Sequence, residues 1–584
     1  MRSPVYPCRT PPMTVIADLL HDAPAARGDH ALLREALRFA FEAGDAGGLL
    51  SEAIGTAPAT PSTWEPPAFA DHVFLAELID SCFRIPADGG EVEMSKGHFR
   101  GVLSRPPADR RDTLFRQEAL RELSENSSLR SELRRLHGAL CRLRTLLDAG
   151  HLAPIEGVER KVDVLTTAKE VIDILASGFQ EARSGIRRLR ELGLELQGSA
   201  GYEGLVRLLD FEANVATMDV RVRIGSDGRI RALETLALRD NRDNPLVPSI
   251  LRRLFARFWS LLRGYRVTGS GVLIHLVDQV FRGVEDAVVR CLLLTGEVEF
   301  YLAGLAFRDL AESKKLAVCL PEIVPAPAFA DPTRVKRELC GVFNPLLLLQ
   351  GIVPIPCDIE TLGHDAVVVL TGPNSGGKTR LLQAIALVQL LGQNGLYVPA
   401  ASARLVWAPT LFVSLVDAAD ASQREGRLGT ELMRIRRVFE QLEPGSLVML
   451  DELCEGTNPT EGEAIFEMVL SLLPRLRPQL FITTHFLGLA ARLERTRPVD
   501  RLELLQVDLD AQDLPTFQFV PGVAPTSLAQ KVATRLGVTR DELSALIERK
   551  VEAQGSENTA PEQQPDGAVT APSREGSAPG RAHE

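Results

Sequence analysis

Eight consecutive residues, Gly372, Pro373, Asn374, Ser375, Gly376, Gly377, Lys378 and Thr379, constrain this chain more than any other stretch. An apolar run, Ala366 to Leu370, leads into them, and an apolar, helix-like segment beginning at Leu381 leaves them. Strand, glycine loop and helix in that order is the setting a P-loop requires. Glycines let backbone N–H groups turn toward phosphate oxygens, and the helix N-terminus adds partial positive charge. All eight residues are therefore nucleotide-binding candidates. Lys378 would reach the β- and γ-phosphates, which also makes it a catalytic candidate, and the Thr379 hydroxyl would ligate Mg²⁺.

A second motif narrows the chemistry. Ser446 to Leu450 reads as an apolar strand ending in Asp451 and Glu452. In P-loop ATPases this places the Asp on the Mg²⁺ shell, and the next Glu polarises the attacking water as general base. The alternative, two surface carboxylates at a strand end, fits poorly with four apolar residues leading straight into them. A third strand, Gln479 to Thr484, ends in His485, placed to contact the γ-phosphate or its water; a plain loop histidine is the alternative. The two motifs lie 33 residues apart (452 to 485) in the order of an ABC-type ATPase. Two such domains sandwich ATP, so a homodimer is expected.

The 584 residues allow several domains. Residues 1–66 read as an N-terminal extension, partly disordered, with a short helix from His30 to Ala43. Residues 67–317 read as a helical core or lever, on Leu114, Leu120, Leu123, Leu129, Leu133 and Leu136 and on a second helical stretch, Val162 to Leu196. From about Val318 short strands alternate with helices up to about residue 551. Residues 552–584 hold almost no large apolar residue and are expected to be disordered. Eight cysteines are scattered without a C-x-x-C pair, so structural zinc and a disulfide framework are not expected. There is no run of about 18 uncharged apolar residues and no secretory signal pattern at Met1 to Thr14. A cytoplasmic protein with no membrane contact is expected.

The helical part is interrupted at Met218. Val220, Val222 and Ile224 alternate with Arg221 and Arg223, turn residues follow from Gly225 to Gly228, and Ile230 and Leu233 lie among Arg229 and Arg231. This is the pattern of a β-hairpin with an apolar face and an arginine face. Between Asp219 and Arg266, eleven arginines stand against five acidic residues, a surplus of six, although the whole chain carries −11. Either the arginines are a solvated face, or Arg221, Arg223, Arg229 and Arg231 meet nucleic-acid phosphates, releasing counterions.

These residues resemble a known family. Thr371 to Thr379 (TGPNSGGKT) is similar to the P-loop of MutS-type proteins, Asn374 included. Leu391 to Ala400 resembles the end of the helix that follows, Asp451 to Gly462 the Walker B motif and its loop, and Thr483 to Phe486 the histidine switch. Ser527 to Val538 resembles the C-terminal helix–turn–helix, and Arg116 to Leu123 the start of the lever helices. The resemblance extends over residues 75–550. It implies a homodimeric, DNA-binding ATPase using ATP and Mg²⁺ in DNA mismatch repair, other DNA repair or recombination control. In such proteins lever helices join the ATPase to a clamp that closes around DNA, and the hairpin, within an insertion at about 213–249, falls where the family places that clamp.

The chain also departs from the pattern. About 75 residues precede the lever, with no Phe-x-Glu triplet and no room for the mismatch-reading and connector domains. Branched or otherwise unusual DNA is therefore a better expectation than mismatches alone. Gly426 to Leu432 matches the signature segment that reaches across the dimer, but the family's serine falls on Gly426, leaving only a backbone N–H. Arg427, Thr430 or, in another register, Ser422 are the candidate substitutes. No adenine-stacking aromatic stands near Ile352 and Val353. The expected architecture is multidomain, α and α/β: a helical lever bundle with a hairpin clamp insertion, then a P-loop ABC-type ATPase over 318–551 with a C-terminal helix–turn–helix. The rival reading is an ABC-type switch acting on a protein partner rather than DNA.

Overall fold

The computed structural model describes residues 17–24, 30–44, 48–55, 61–87, 90–91, 94–148, 154–212, 216–224, 230–240, 270–325, 335–415, 426–454, 458–525 and 537–557. The first unit, residues 1–525, begins with helices α1 (Ala31–Ala43), α2 (Leu49–Gly55), α3 (Leu75–Cys82) and α4 (Lys96–Leu103), with a two-residue strand pair, β1 (Pro86–Ala87) and β2 (Gly90–Glu91). Then come α5 (Arg110–Glu125), α6 (Ser127–Leu147), α7 (Pro154–Ser177), α8 (Arg187–Gln197) and α9 (Ala200–Glu212). The 44-residue α10 (Ser270–Ser313), about 66 Å long at 1.5 Å per residue, runs against α1, α2, α4, α5, α6, α7 and α9.

Side chains decide where these helices start and stop. Asp109 caps α5 by accepting the Arg111 N–H at 2.9 Å, and Asn126 caps α6 by accepting those of Ser128 and Leu129 at 3.0 and 3.1 Å. The second helical stretch expected over 162–196 is interrupted. Between α7 and α8 the chain turns through Phe179 (φ 57°), and the N–H groups freed there go to Glu132 and Glu122. Most of the anticipated leucine stripe is buried, but Leu114 is 39% exposed. The N-terminal residues do not stand apart as an extension: Leu19, Leu20, Leu33, Leu37 and Phe41 belong to the same core as α5, α6 and α10.

The hairpin is found as β3 (Ala216–Ile224) and β4 (Ile230–Asp240), paired antiparallel with Val222 opposite Leu233 and Arg221 opposite Glu234. It is longer than the 218–233 anticipated, and its register shifts near Val220 and Ile224. Arg229, Arg252, Arg253, Arg257 and Arg263 lie outside the described residues.

The α/β part holds two sheets. One orders β5 (Glu322–Val324), β9 (Ser402–Val406), β6 (Glu338–Val342) and β7 (Cys357–Glu360). The larger orders β10 (Leu411–Ser414), β11 (Leu447–Leu450), β12 (Gln479–Thr483), β8 (Val367–Thr371), β13 (Leu502–Leu509) and β14 (Pro515–Pro521); all but β14 run parallel. Strands of a parallel sheet covered on both faces are continuously apolar. Accordingly every residue of β8, β10, β11 and β12 is buried. Val367 and Val369 face one core with Val448 and Ile482, while Val368 and Leu370 face the other with Met449 and Phe481. The helices here are α11 (Lys378–Gln393), α12 (Gly426–Gln441), α13 (Pro459–Leu472) and α14 (Leu487–Thr496).

The C-terminal end of α11 is locked onto the helical part. The Thr113 hydroxyl donates to the Gln393 carbonyl at 2.6 Å, and Gln117 Nε2 to that of Pro321 at 3.0 Å. Arg116, fully buried, donates to the Leu20 carbonyl at 2.9 Å and to Asn394 Oδ1 at 3.3 Å. Burial pulls its guanidinium below the usual range, and its position at the α11 C-terminus suits a cation. Gly395 (φ 80°) passes so close that a Cβ there would lie 2.7 Å from Arg116 Cβ and 2.8 Å from the Thr113 carbonyl.

Cys82, Cys291, Cys357 and Cys454 are buried, and burial pushes their thiols up, to about 11 for Cys82 and Cys454 and about 12 for Cys291 and Cys357. In the second unit, residues 526–584, α15 (Arg540–Glu557) is described. It continues past residue 551, where a disordered tail was anticipated. Ser527 to Leu536 and residues 558–584 lie outside the described residues. Among the described residues no helix is long and apolar enough to cross a membrane.

Candidate nucleotide site

Three neighbouring parallel strands, β11, β12 and β8, bring their carboxyl ends together, where ligands of open α/β sheets bind. From β8 the chain enters the loop through Gly372 (φ 140°) and leaves it through Gly377 (φ 83°) into α11. The glycines are needed for space as well as backbone angle. A Cβ on Gly372 or Gly376 would sit 2.7 Å from Val507 Cγ2, and one on Gly377 would sit 3.2 Å from Phe517 Cδ1. Lys378 is buried, and its ammonium donates to the carbonyls of Gly372 and Pro373 at 3.0 and 3.1 Å.

Asp451 follows β11 and is buried. Its Oδ2 accepts the Thr379 hydroxyl at 2.6 Å, and its Oδ1 accepts the Thr483 hydroxyl at 2.6 Å. Thr483 Oγ1 in turn accepts the Glu452 N–H at 2.8 Å, so the end of β12 fixes both acidic residues. Glu452 is held at φ 48° and Cys454 at φ 67°, costly angles for residues other than glycine and a frequent mark of functional turns. That turn leaves Glu452 Oε1 2.6 Å from His485 Nε2. With the carboxylate as acceptor, the imidazole proton sits on Nε2.

Three residues at the candidate site escaped the sequence reading. Arg434 on α12 reaches the Ser414 hydroxyl and carbonyl and the Asp451 carbonyl at 3.3 Å, tying the ends of β10 and β11 together. Phe517 and Phe519 on β14 line a cavity of about 440 Å³, together with Ile352, Val353, Ile355 and the glycine loop. The aromatic side chains that share this cavity with Ile352 and Val353 include one on a strand about 165 residues later (517 − 352). Its only sequence signal is a pair of phenylalanines at period two, which any half-buried strand can show.

The residues present fit Mg²⁺ and a nucleotide. Thr379 and Asp451 converge hard oxygen donors on one point, beside a loop where side chains at the glycines would collide with β13 and β14. Gly426 and Arg427 open α12, but the Arg427 side chain lies outside the described residues, as do those of Arg221, Arg229 and Arg231; Arg223 is exposed.

The family model for MutS domain V matches residues 368–548. The Endonuclease MutS2 of Thermomicrobium roseum is 34% identical over 209 residues, 35% of this chain and 26% of the relative. The Endonuclease MutS2 of Brevibacillus brevis is 31% identical over 271 residues, 46% of this chain and 32% of the relative. That of Pelotomaculum thermopropionicum is 35% identical over 248 residues, 42% and 29% of the respective lengths. The matched stretch thus spans a third or less of each of these relatives. With the loop, the acidic pair and the histidine assembled on one sheet, residues 368–548 match the MutS domain V model, and this part of the chain is similar to the MutS2 relatives.

Proposed function

We propose that this chain is a MutS-like ATPase that binds ATP at Gly372–Thr379 and uses the bound and hydrolysed states to gate a dimeric clamp on mismatched, branched or otherwise unusual DNA, in repair or recombination control. The observation that carries the ATPase reading is the convergence of Thr379 on Asp451 and of His485 on Glu452, each at 2.6 Å. With Lys378 on the glycine loop, these pairings gather the hydroxyl, carboxylates, ammonium and imidazole that phosphoryl transfer to water uses. DNA as the substrate comes from the relatives, which are named endonucleases, and from the arginine surplus around the hairpin.

Residues of this chain divide the work. Thr379 and Asp451 would hold Mg²⁺, which supplies charge neutralisation at the phosphates. Lys378 balances the developing charge on the γ-phosphoryl group. Glu452 takes the proton of the attacking water, and His485 keeps the carboxylate aimed while contacting the γ-phosphate side. Phe517, with Ile352 and Val353, gives the nucleobase an apolar wall. Across a homodimer, Gly426 and Arg427 would meet the partner's nucleotide.

The ATPase rate measured without DNA, with linear duplex, with mismatched duplex and with a four-way junction tests this. Stimulation by any of the DNAs, greatest for mismatched or junction DNA, is the expected result. Equal rates in all four would transfer the function to the rival class, an ABC-type switch acting on a protein partner, for which the net charge of −11 argues.

A further inference from the structure

A cluster of potential metal ligands lies in the helical part of the first unit, in a region to which the nucleotide chemistry assigns no role. His137 and Cys141 stand four residues apart on α6 and so share one face. That face packs against α10, which supplies Glu299. Cys141 Sγ lies 3.4 Å from His137 Nε2, which lies 3.4 Å from Glu299 Oε1, and the three atoms are all within 4.8 Å of one another. We propose that His137, Cys141 and Glu299 form a binding site for one divalent transition-metal ion of the zinc class, pinning α6 to α10.

The distances suit a bound ion. An N–H···O bond is usually no longer than about 3.2 Å, so the histidine–glutamate separation is wide for one. Ligand atoms bound tetrahedrally at about 2.0–2.3 Å from an ion stand roughly 3.3–3.8 Å apart, and both measured separations fall in that span. Charge agrees as well. A thiolate, a carboxylate and a neutral imidazole balance a divalent cation, in a place where His137 and Glu299 are only 3% and 1% exposed. Nitrogen and sulfur donors select zinc-class ions over Mg²⁺ or Ca²⁺.

The surroundings are those of a supported ligand set. Glu299 Oε2 accepts the Ser95 N–H at 2.8 Å, which fixes the carboxylate and leaves Oε1 toward His137. Ser95 and Thr145, whose hydroxyl donates to the Cys141 carbonyl at 3.0 Å, line a cavity of about 670 Å³ next to the trio. Three protein ligands leave a fourth position for water or a further ligand. The scattered cysteines argued against zinc in the sequence; the site escapes that logic because one ligand lies 158 residues away (299 − 141) and is a glutamate.

The test is a Co²⁺ titration of the full-length, chelator-treated, nucleotide-free protein, read by absorption. The expected result is one cobalt per chain with a thiolate-to-cobalt charge-transfer band, lost in Cys141→Ser and retained in Cys340→Ser, where the exposed cysteine serves as control. A wild-type spectrum with no thiolate band, or a band that survives Cys141→Ser, overturns the proposal. Alkylation of wild-type Cys141, followed by peptide mass spectrometry, needs no variant to fold. Zinc should protect Cys141 and leave Cys340 reactive, and equal labelling of Cys141 with and without zinc overturns the site.

Discussion

In the proposed mechanism Lys378 and Glu452 carry different parts of the same reaction, so their variants should separate. With Lys378→Ala the loop loses the buried ammonium proposed to meet the phosphates, and nucleotide binding should fall below detection by fluorescent-nucleotide titration. Glu452→Gln keeps size and position but cannot take a proton, so ATP should still bind while the steady-state rate drops by about 10²–10⁴, the range for general-base removal. Normal turnover in Glu452→Gln would reassign the base. Phe517→Ala should weaken ATP binding by about 1–3 kcal/mol, the scale of base–aromatic stacking, with kcat unchanged; an unaltered KM and Kd would remove it from the base pocket. Residues of the first kind were legible in the sequence because phosphate and metal chemistry demands particular residue types at fixed places along a strand–loop–helix. Phe517 and Arg434 were not. Their roles depend on which strand and helix fold beside the loop, and a phenylalanine on a strand or an arginine on a helix looks the same in either role.

Among elements, the junction between α11 and α5 is the best place to test how the nucleotide helix is held. Gly395→Ala forces a side chain into left-handed backbone and onto the Thr113 carbonyl, 2.8 Å from where its Cβ would stand. The cost should be about 1–3 kcal/mol in urea unfolding; an unchanged midpoint would mean that α5 and α11 yield easily. The sequence revealed the segment 391–400 as a resemblance but gave no sign of its contact with Arg116, because 278 residues separate Arg116 from Asn394. Helix breaks were similarly opaque: the turn at 178–186 is satisfied by Glu122 and Glu132 on other helices, and periodicity does not show distant partners. The hairpin was legible, since alternation is local. If its arginines meet DNA, replacing Arg221, Arg223, Arg229 and Arg231 together by Glu should weaken gel-shift binding at low salt. The salt slope should also flatten by about 0.9 for each phosphate that is no longer neutralised. Affinity and slope equal to wild type would leave the arginines as a solvated face.

For the whole molecule, the central question is whether two copies close over ATP when the segment proposed to reach across a dimer begins with Gly426. A serine hydroxyl would add a charge-assisted hydrogen bond to the γ-phosphate, typically worth about 1.5–3 kcal/mol, so its absence weakens closure without abolishing it. The backbone N–H of Gly426 sits at the start of α12, where the helix dipole favours an anion. Closure should therefore occur when hydrolysis is blocked, at higher protein concentration than a serine would need. Glu452→Gln with ATP and Mg²⁺ should elute as a dimer in size exclusion with light scattering, while the nucleotide-free protein shows more monomer. Gly426→Ser in that background should shift the midpoint of dimerisation about tenfold lower in concentration or more, since 1.4 kcal/mol corresponds to a factor of ten. A dimer fraction indifferent to ATP would detach the nucleotide from assembly. An ATP-dependent dimer untouched by Gly426→Ser would instead move the contact to Arg427, Thr430 or Ser422.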